Sequence, residues 1–319
     1  MRFLVFGAGG VGAYFGGRLA KAGEEVWFVA RGKHLAAMKK KGLFVHASDG
    51  SFRVKAGTMT DNPAKVPSPD VVLFCVKAYD TESAAKQLAP IFSNDSIVIS
   101  LQNGVENETK IKHCIPQAIV YGGVAYIFSN ITAPGKVTEW GGPRKIVFGP
   151  LEGEPSGRAQ EIEKVMRNAG IDATLTNDML TELWKKFIFI AAGGGFNTLS
   201  HLALADIMAV DESREVFYLA MKEAEAVARA KGITLPKGFV EQQFETLKNR
   251  ATTARTSMYY DLVQQKPMEV EELVGAIVRY GREAGVPTPI NQTIYASLLP
   301  HHLLHVQKRK PSRFNAPRS

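Results

Sequence analysis

Short apolar runs alternate with stretches of helical spacing through the first half of the chain, and helical spacing takes over in the second. Residues 2–6, Arg-Phe-Leu-Val-Phe, form a β-branched and aromatic run. After it the apolar positions Val11, Phe15, Leu19 and Ala22 fall on one face of a helix. A second run covers residues 25–30, residues 33–41 read as a short helix, and 43–46 and 52–56 read as short extended segments. Residues 70–76 and 96–101 are almost uninterruptedly apolar, as strands buried on both faces of a parallel sheet are. With helices expected at 81–89 and 106–113, this alternation predicts a doubly wound α/β sheet. Residues 120–128, 136–140 and 145–148 are expected to extend that sheet, with turns at Pro134-Gly135 and Gly141-Gly142-Pro143. Beyond residue 158 the spacing predicts helices at 159–168, 179–192, 211–231, 236–248 and 267–284, with one more strand at 172–175. The helix at 267–284 opens on proline, carries Glu269, Glu271 and Glu272 in its first turn, and stops near Gly285.

The junction of the first run and the first helix reads Gly7-Ala8-Gly9-Gly10-Val11-Gly12, a G-x-G-x-x-G placed between a strand and a helix. The first glycine allows a tight turn, the second a close approach of backbone to a pyrophosphate, and the third close packing of helix on strand. The N–H groups of the first helical turn then face the phosphates. Nineteen residues after Gly12, at the end of the second run, stands Arg31, where an NAD-binding protein would offer a carboxylate to the ribose 2′-hydroxyl. A guanidinium there can clamp a 2′-phosphate, so NADPH/NADP is the cofactor read from this pair; a solvated loop cation is the plainer alternative. The expected organisation is an NADP-binding Rossmann-type domain over residues 1–176, an all-helical substrate and dimerisation domain over 177–307, and a basic, disordered tail over 308–319. A cleft shared by the two domains should lie at the carboxyl ends of the strands.

Composition narrows the classes of function. Two cysteines imply no disulfide framework and suit a reducing cytoplasm, and Met1 leads directly into the first run, leaving no room for a signal peptide. The most apolar stretch, residues 187–196, is too short for a bilayer and contains three glycines. Of the net charge of +8, five units come from Lys308, Arg309, Lys310, Arg313 and Arg318, in a segment with no acid after Glu283. The rest suits a holder of a polyanionic cofactor, so neither a specific nucleic-acid partner nor a membrane is expected, and no metal ligand set is read.

Five stretches taken together resemble the ketopantoate reductase (2-dehydropantoate 2-reductase) family over essentially the whole chain. They are Gly7 to Gly12 with Tyr14-Phe15-Gly16; Val76-Lys77-Ala78-Tyr79-Asp80; Leu101-Gln102-Asn103-Gly104-Val105-Glu106; Leu183-Trp184-Lys185-Lys186-Phe187; and Ser257-Met258-Tyr259-Tyr260-Asp261, followed by Glu269. The resemblance implies hydride transfer from NADPH to C2 of a 2-oxo acid, giving a 2-hydroxy acid, with ketopantoate as the default substrate in pantothenate biosynthesis. A homodimer is compatible with it. By the same resemblance Lys186 is the catalytic lysine and contacts substrate, and Glu269 orients it. Asn103 lies by nicotinamide and substrate, Lys77 lies against the cofactor or the substrate, and Ser257 binds the substrate's carboxylate or hydroxyl.

Each residue has a plainer reading. Lys186 could snorkel from a helix flank, although Leu183, Trp184, Phe187 and Ile190 predict a largely buried helix whose desolvation would lower a lysine pKa. Glu269 could complement a helix dipole, Asn103 could sit in a turn, Lys77 could be a solvated loop cation and Ser257 could cap a helix. One departure from the family is visible. The asparagines that many members carry after the catalytic lysine are missing from residues 188–196, and the only one nearby is Asn197. That leaves a more apolar site and opens the substrate to another branched 2-oxo acid or related carbonyl. A separate alternative is an NADP-sensing protein without turnover, against which the presence of both Lys186 and Glu269 argues.

Overall fold

The computed structural model describes residues 1–308 except 56, 251, 252 and 254, and at position 250 the backbone alone. The end of the extended segment expected at 52–56 and nearly all of the basic tail therefore lie outside the described residues. Contacts divide the chain into two compact units, one of Met1–Gln102 with Glu106–Glu182, the other of Asn103–Val105 with the chain from Leu183 onward.

The first unit begins with β1 (Arg2–Phe6), α1 (Gly10–Lys21), β2 (Glu25–Val29), α2 (Gly32–Lys41), β3 (Leu43–His46), β4 (Phe52–Val54) and β5 (Met59–Thr60). It continues through β6 (Val71–Phe74), α3 (Thr81–Leu88), β7 (Ile97–Ser100), α4 (Asn107–Cys114), β8 (Ile119–Tyr126), β9 (Ser129–Ala133) and β10 (Lys136–Glu139). It closes with β11 (Lys145–Pro150), α5 (Gly157–Asn168) and β12 (Asp172–Leu175). An eight-stranded sheet has the order β12-β11-β8-β7-β6-β1-β2-β5. All neighbours are parallel except β8 and β11. From β5 to β8 this is the doubly wound order of dinucleotide-binding sheets, whose direction of winding reverses between β1 and β6. The apolar runs at β6 and β7 are buried at every position, as two covered faces require.

Two expectations need correction here. Residues 136–140 do not extend the main sheet: β10 pairs with β3 and β9 in a separate four-stranded sheet of order β4-β3-β10-β9. That pairing joins residues about ninety positions apart, which a local pattern cannot report. Nor does α1 bury a single face. It packs on β1, β2 and β6 on one side and on β3, β4, β9 and β10 on the other. Its glycines make this possible. A side chain at Gly16 would meet the Phe28 ring at 2.8 Å, and one at Gly17 would meet Val45 and Phe52 at 3.1 and 3.2 Å.

The second unit is helical, with α6 (Met179–Ser200, entering it at Leu183), α7 (Leu204–Ala209), α8 (Asp211–Ala230) and α9 (Phe239–Arg250). α10 (Ser257–Val263), α11 (Val274–Ala284) and α12 (Pro289–Lys308) complete it. α6 runs on through Gly193, Gly194 and Gly195, past the expected end at residue 192. The glycines sit at helix crossings, where a side chain at Gly195 would meet Val274 and Ile294 at 2.8 Å. α7, α10 and α12 have no counterpart in the sequence reading. The helix expected at 267–284 starts only at Val274, after a series of turns.

Candidate active site

In the first unit the candidate residues gather at the carboxyl ends of β1, β2 and β6, on both sides of the point where the winding reverses. Gly7 has φ +106°, a conformation that favours glycine, and its N–H and that of Ala8 both donate to the Val29 carbonyl at 3.1 and 3.0 Å. Those two amides fasten the loop to β2. Gly9 is the N-cap of α1, no side chain caps that end, and a side chain at Gly9 would meet nothing within 4 Å. Open space beside the amino end of a helix is where an anion is held. Gly10 has a different duty: a side chain there would run into the carbonyl of Ser129 on β9. Val11 is half-buried, and a side chain at Gly12 would strike the Gly7 carbonyl and lie 2.8 Å from Val5, so this glycine seats helix on strand. Arg31 is the N-cap of α2 and places its Nη2 3.1 Å from Asp80 Oδ2.

Lys77 leads the short 3-10 turn Ala78–Asp80 beyond β6. Behind it lies a side-chain network absent from the sequence reading. Gln102 Nε2 donates to the Val76 carbonyl at 3.0 Å and to Thr81 Oγ1 at 2.8 Å. Thr81 Oγ1 donates in turn to the Ala78 carbonyl at 2.7 Å and lies 3.0 Å from the Asn107 side-chain oxygen. Both sides of Lys77 are thereby tied to the residue preceding Asn103. The Gln-Asn-Gly sequence was the available signal; its glutamine carries the tie.

In the helical unit Lys186 lies part-buried on α6 beside the buried Trp184 and Phe187. Loss of hydration pulls its ammonium pKa down to about 8, and the negative charge of Glu269 opposes that shift. Glu269 is 4% exposed. It lies in the turns before α11, so the helix-dipole explanation does not apply to it. Two histidines of α12 hold this segment: the Met268 N–H donates to His302 Nδ1 at 3.1 Å, and His305 Nδ1 lies 2.9 Å from the Lys266 carbonyl. Burial pushes His302 down from its ordinary pKa, which suits a ring nitrogen acting as acceptor. Asn103 belongs by its contacts to this unit, and Val105 packs on the helical core.

Comparison with known proteins identifies the family. Residues 3–153 match the family described as "Ketopantoate reductase PanE/ApbA", and residues 178–301 match "Ketopantoate reductase PanE/ApbA C terminal". The chain belongs to the ketopantoate reductase family. Among its relatives is the 2-dehydropantoate 2-reductase of Archaeoglobus fulgidus, 33% identical over 92% of this chain and 95% of that one. Another, from Bacillus subtilis, is named an uncharacterized oxidoreductase and is 28% identical over 93% of this chain and 98% of its own length. A family member from Ralstonia eutropha has a crystal structure that superposes with a TM-score of 0.88 at 30% identity, covering 97% of this chain and all of that one.

Within this family frame, Asn197 has a role that the sequence did not reveal. It is 3% exposed, its Oδ1 accepts from the Thr256 N–H and hydroxyl at 3.0 and 3.1 Å, and its Nδ2 donates to the Leu202 carbonyl. Its side-chain amide is thus spent on two backbone segments, the start of α10 and the stretch before α7. Thr256, not Ser257, caps that helix, accepting from the Tyr259 N–H at 3.4 Å. Ser257 follows at the first helical position with its side chain exposed.

Proposed function

We propose that this member of the family reduces a 2-oxo acid to the 2-hydroxy acid with NADPH, and that 2-dehydropantoate, the keto acid of pantothenate biosynthesis, is its substrate. One observation carries the reading: Lys186, whose ammonium is made acidic by burial and steadied by the charge of Glu269. The residues of the first unit fit a dinucleotide, with open space at Gly9 by the uncapped end of α1 and Arg31 at the end of β2 for a 2′-phosphate. The bound cofactor would supply the hydride. Hydride arrival at a carbonyl carbon leaves charge on its oxygen, and Lys186 Nζ gives that oxygen its proton. A lysine with an ordinary pKa holds its proton tightly; one near 8 releases it more readily at neutral pH and still carries it there. Glu269 keeps the lysine charged until the proton is needed, Ser257 offers a hydroxyl to the substrate, and Asn103 and Lys77 line the cofactor and substrate positions.

Residues 188–196 favour a second substrate within the same chemistry. They carry no side-chain amide, and the amide of Asn197 is engaged elsewhere, so a more apolar branched 2-oxo acid is the other candidate. The test is NADPH oxidation followed against a panel of 2-oxo acids that includes 2-dehydropantoate. Turnover best with 2-dehydropantoate supports the first substrate, turnover best with another branched acid supports the second, and no turnover with any of them overturns the reductase reading.

A further inference from the structure

We infer that Asp80 sets how strongly this chain prefers a 2′-phosphorylated dinucleotide over its unphosphorylated counterpart, by competing with the phosphate for Arg31. The inference rests on the proposed role of Arg31. The two side chains form an ion pair of 3.1 Å and differ sharply in environment: Asp80 is 7% exposed and Arg31 47%. The backbone of Asp80 is held on both sides, its N–H donating to the Lys77 carbonyl at 2.8 Å and its carbonyl accepting from Ser83 Oγ at 2.9 Å. Asp80 is thus the enclosed member of the pair, on an anchored backbone, and Arg31 the solvent-accessible one.

A carboxylate so buried gains from a cationic partner, because the pairing offsets part of the hydration it has lost. A 2′-phosphate arriving at Arg31 asks for the same donors. The guanidinium has five N–H groups and can serve both, but whatever share the phosphate takes is withdrawn from Asp80, and the two anions then repel across a short distance. A ribose 2′-hydroxyl makes no such claim, and the ion pair survives its binding. Asp80 therefore penalises NADPH and leaves NADH alone. The cofactor preference generated by Arg31 is shallower than a lone arginine would give.

Dissociation constants for NADPH and NADH, measured by calorimetry on the full chain at fixed ionic strength, test this. Asp80→Asn keeps the shape and an acceptor for Arg31 while removing the charge. Asp80→Ser also removes the charge and introduces a residue favoured at the start of a helix such as α3. Each is expected to tighten NADPH by about three- to thirtyfold and to move NADH by less than about twofold, the size of one screened repulsion near the surface. Arg31→Ala, run alongside, should weaken NADPH alone. If it does so while both Asp80 variants bind NADPH no better than the wild type, Asp80 is only an anchor and the inference is overturned. If Arg31→Ala leaves NADPH binding unchanged, the 2′-phosphate reading fails and takes this inference with it.

Discussion

In the sheet unit the candidate residues are defined largely by what they lack, whereas in the helical unit they are defined by where charge is buried. Around the glycine loop, Gly9, Gly10, Gly12, Gly16 and Gly17 divide into one position facing open space and four facing protein atoms. The same missing side chain does two jobs, and only the neighbours tell them apart. Around Lys186 the determining quantity is lost hydration, which lowers the lysine pKa to about 8 against the opposing charge of Glu269. Binding in the first unit should therefore fail by steric means, and chemistry in the second by electrostatic means.

The largest effect should come from the electrostatic side. Lys186→Ala is expected to lower turnover by about two to four orders of magnitude, as loss of a positioned general acid does, while NADPH titration of the variant gives near-normal affinity. If turnover stays near normal with a true substrate, the contrast between the units collapses and the acid must be sought at Lys185 or Lys77.

The steric side is sharpened by a pair of glycines. Gly12→Val should destabilise the fold by roughly 3 kcal/mol or more through overpacking against Val5 and the Gly7 carbonyl, read by denaturant unfolding. Gly9→Val should leave the unfolding transition in place and abolish NADPH binding. A Gly9→Val protein that binds normally would put the pyrophosphate somewhere else.

Arg31→Ala should weaken NADPH by about 1.5–3 kcal/mol, the worth of a hydrogen bond to a charged group, with little change for NADH. In the helical unit, Asn197→Ala should cost about 1–2 kcal/mol of stability, because its Oδ1 holds the start of α10 and its Nδ2 holds the Leu202 carbonyl before α7. It should also raise KM more than it lowers kcat if α10 carries a substrate contact, which steady-state kinetics will read.

The smallest effect is a pH profile. Reduction requires the protonated lysine, so with a pKa of about 8 the rate should fall as pH rises. The loss should be roughly twofold between pH 7 and 8, steepening toward tenfold per unit above that. A chemical step independent of pH up to 10 would remove Lys186 as the acid.

The strand-helix alternation, the glycine loop and the position of Arg31 were legible in the sequence because each depends on short spacing along the chain. So were Lys186 and Glu269, through motifs and their separation, although the sequence placed Glu269 in a helix that begins only at Val274. The four-stranded sheet was not legible. Residues 43–46 and 136–139 pair although several strands of the main sheet and their helices lie between them in the chain, and no local period encodes which distant strand a strand will meet. Nor was the double-sided burial of α1, since a glycine facing a sheet and a glycine facing a ligand are the same letter.

What the sequence by itself determined is the class of fold, because chain spacing decides it directly, and the family, through the resemblance of its motifs; it also supplied the candidate residues for binding a dinucleotide and moving a proton. Only the tertiary structure decided what each residue is free to do. It spent Asn197 on Thr256, gave the cap of α10 to Thr256 in place of Ser257, and paired Arg31 with Asp80. It also brought a part-buried lysine under the influence of Glu269, more than eighty residues away along the chain. Hydrogen-bond partners, hydration and charge all depend on distance in space, which the order of residues constrains only through the completed fold.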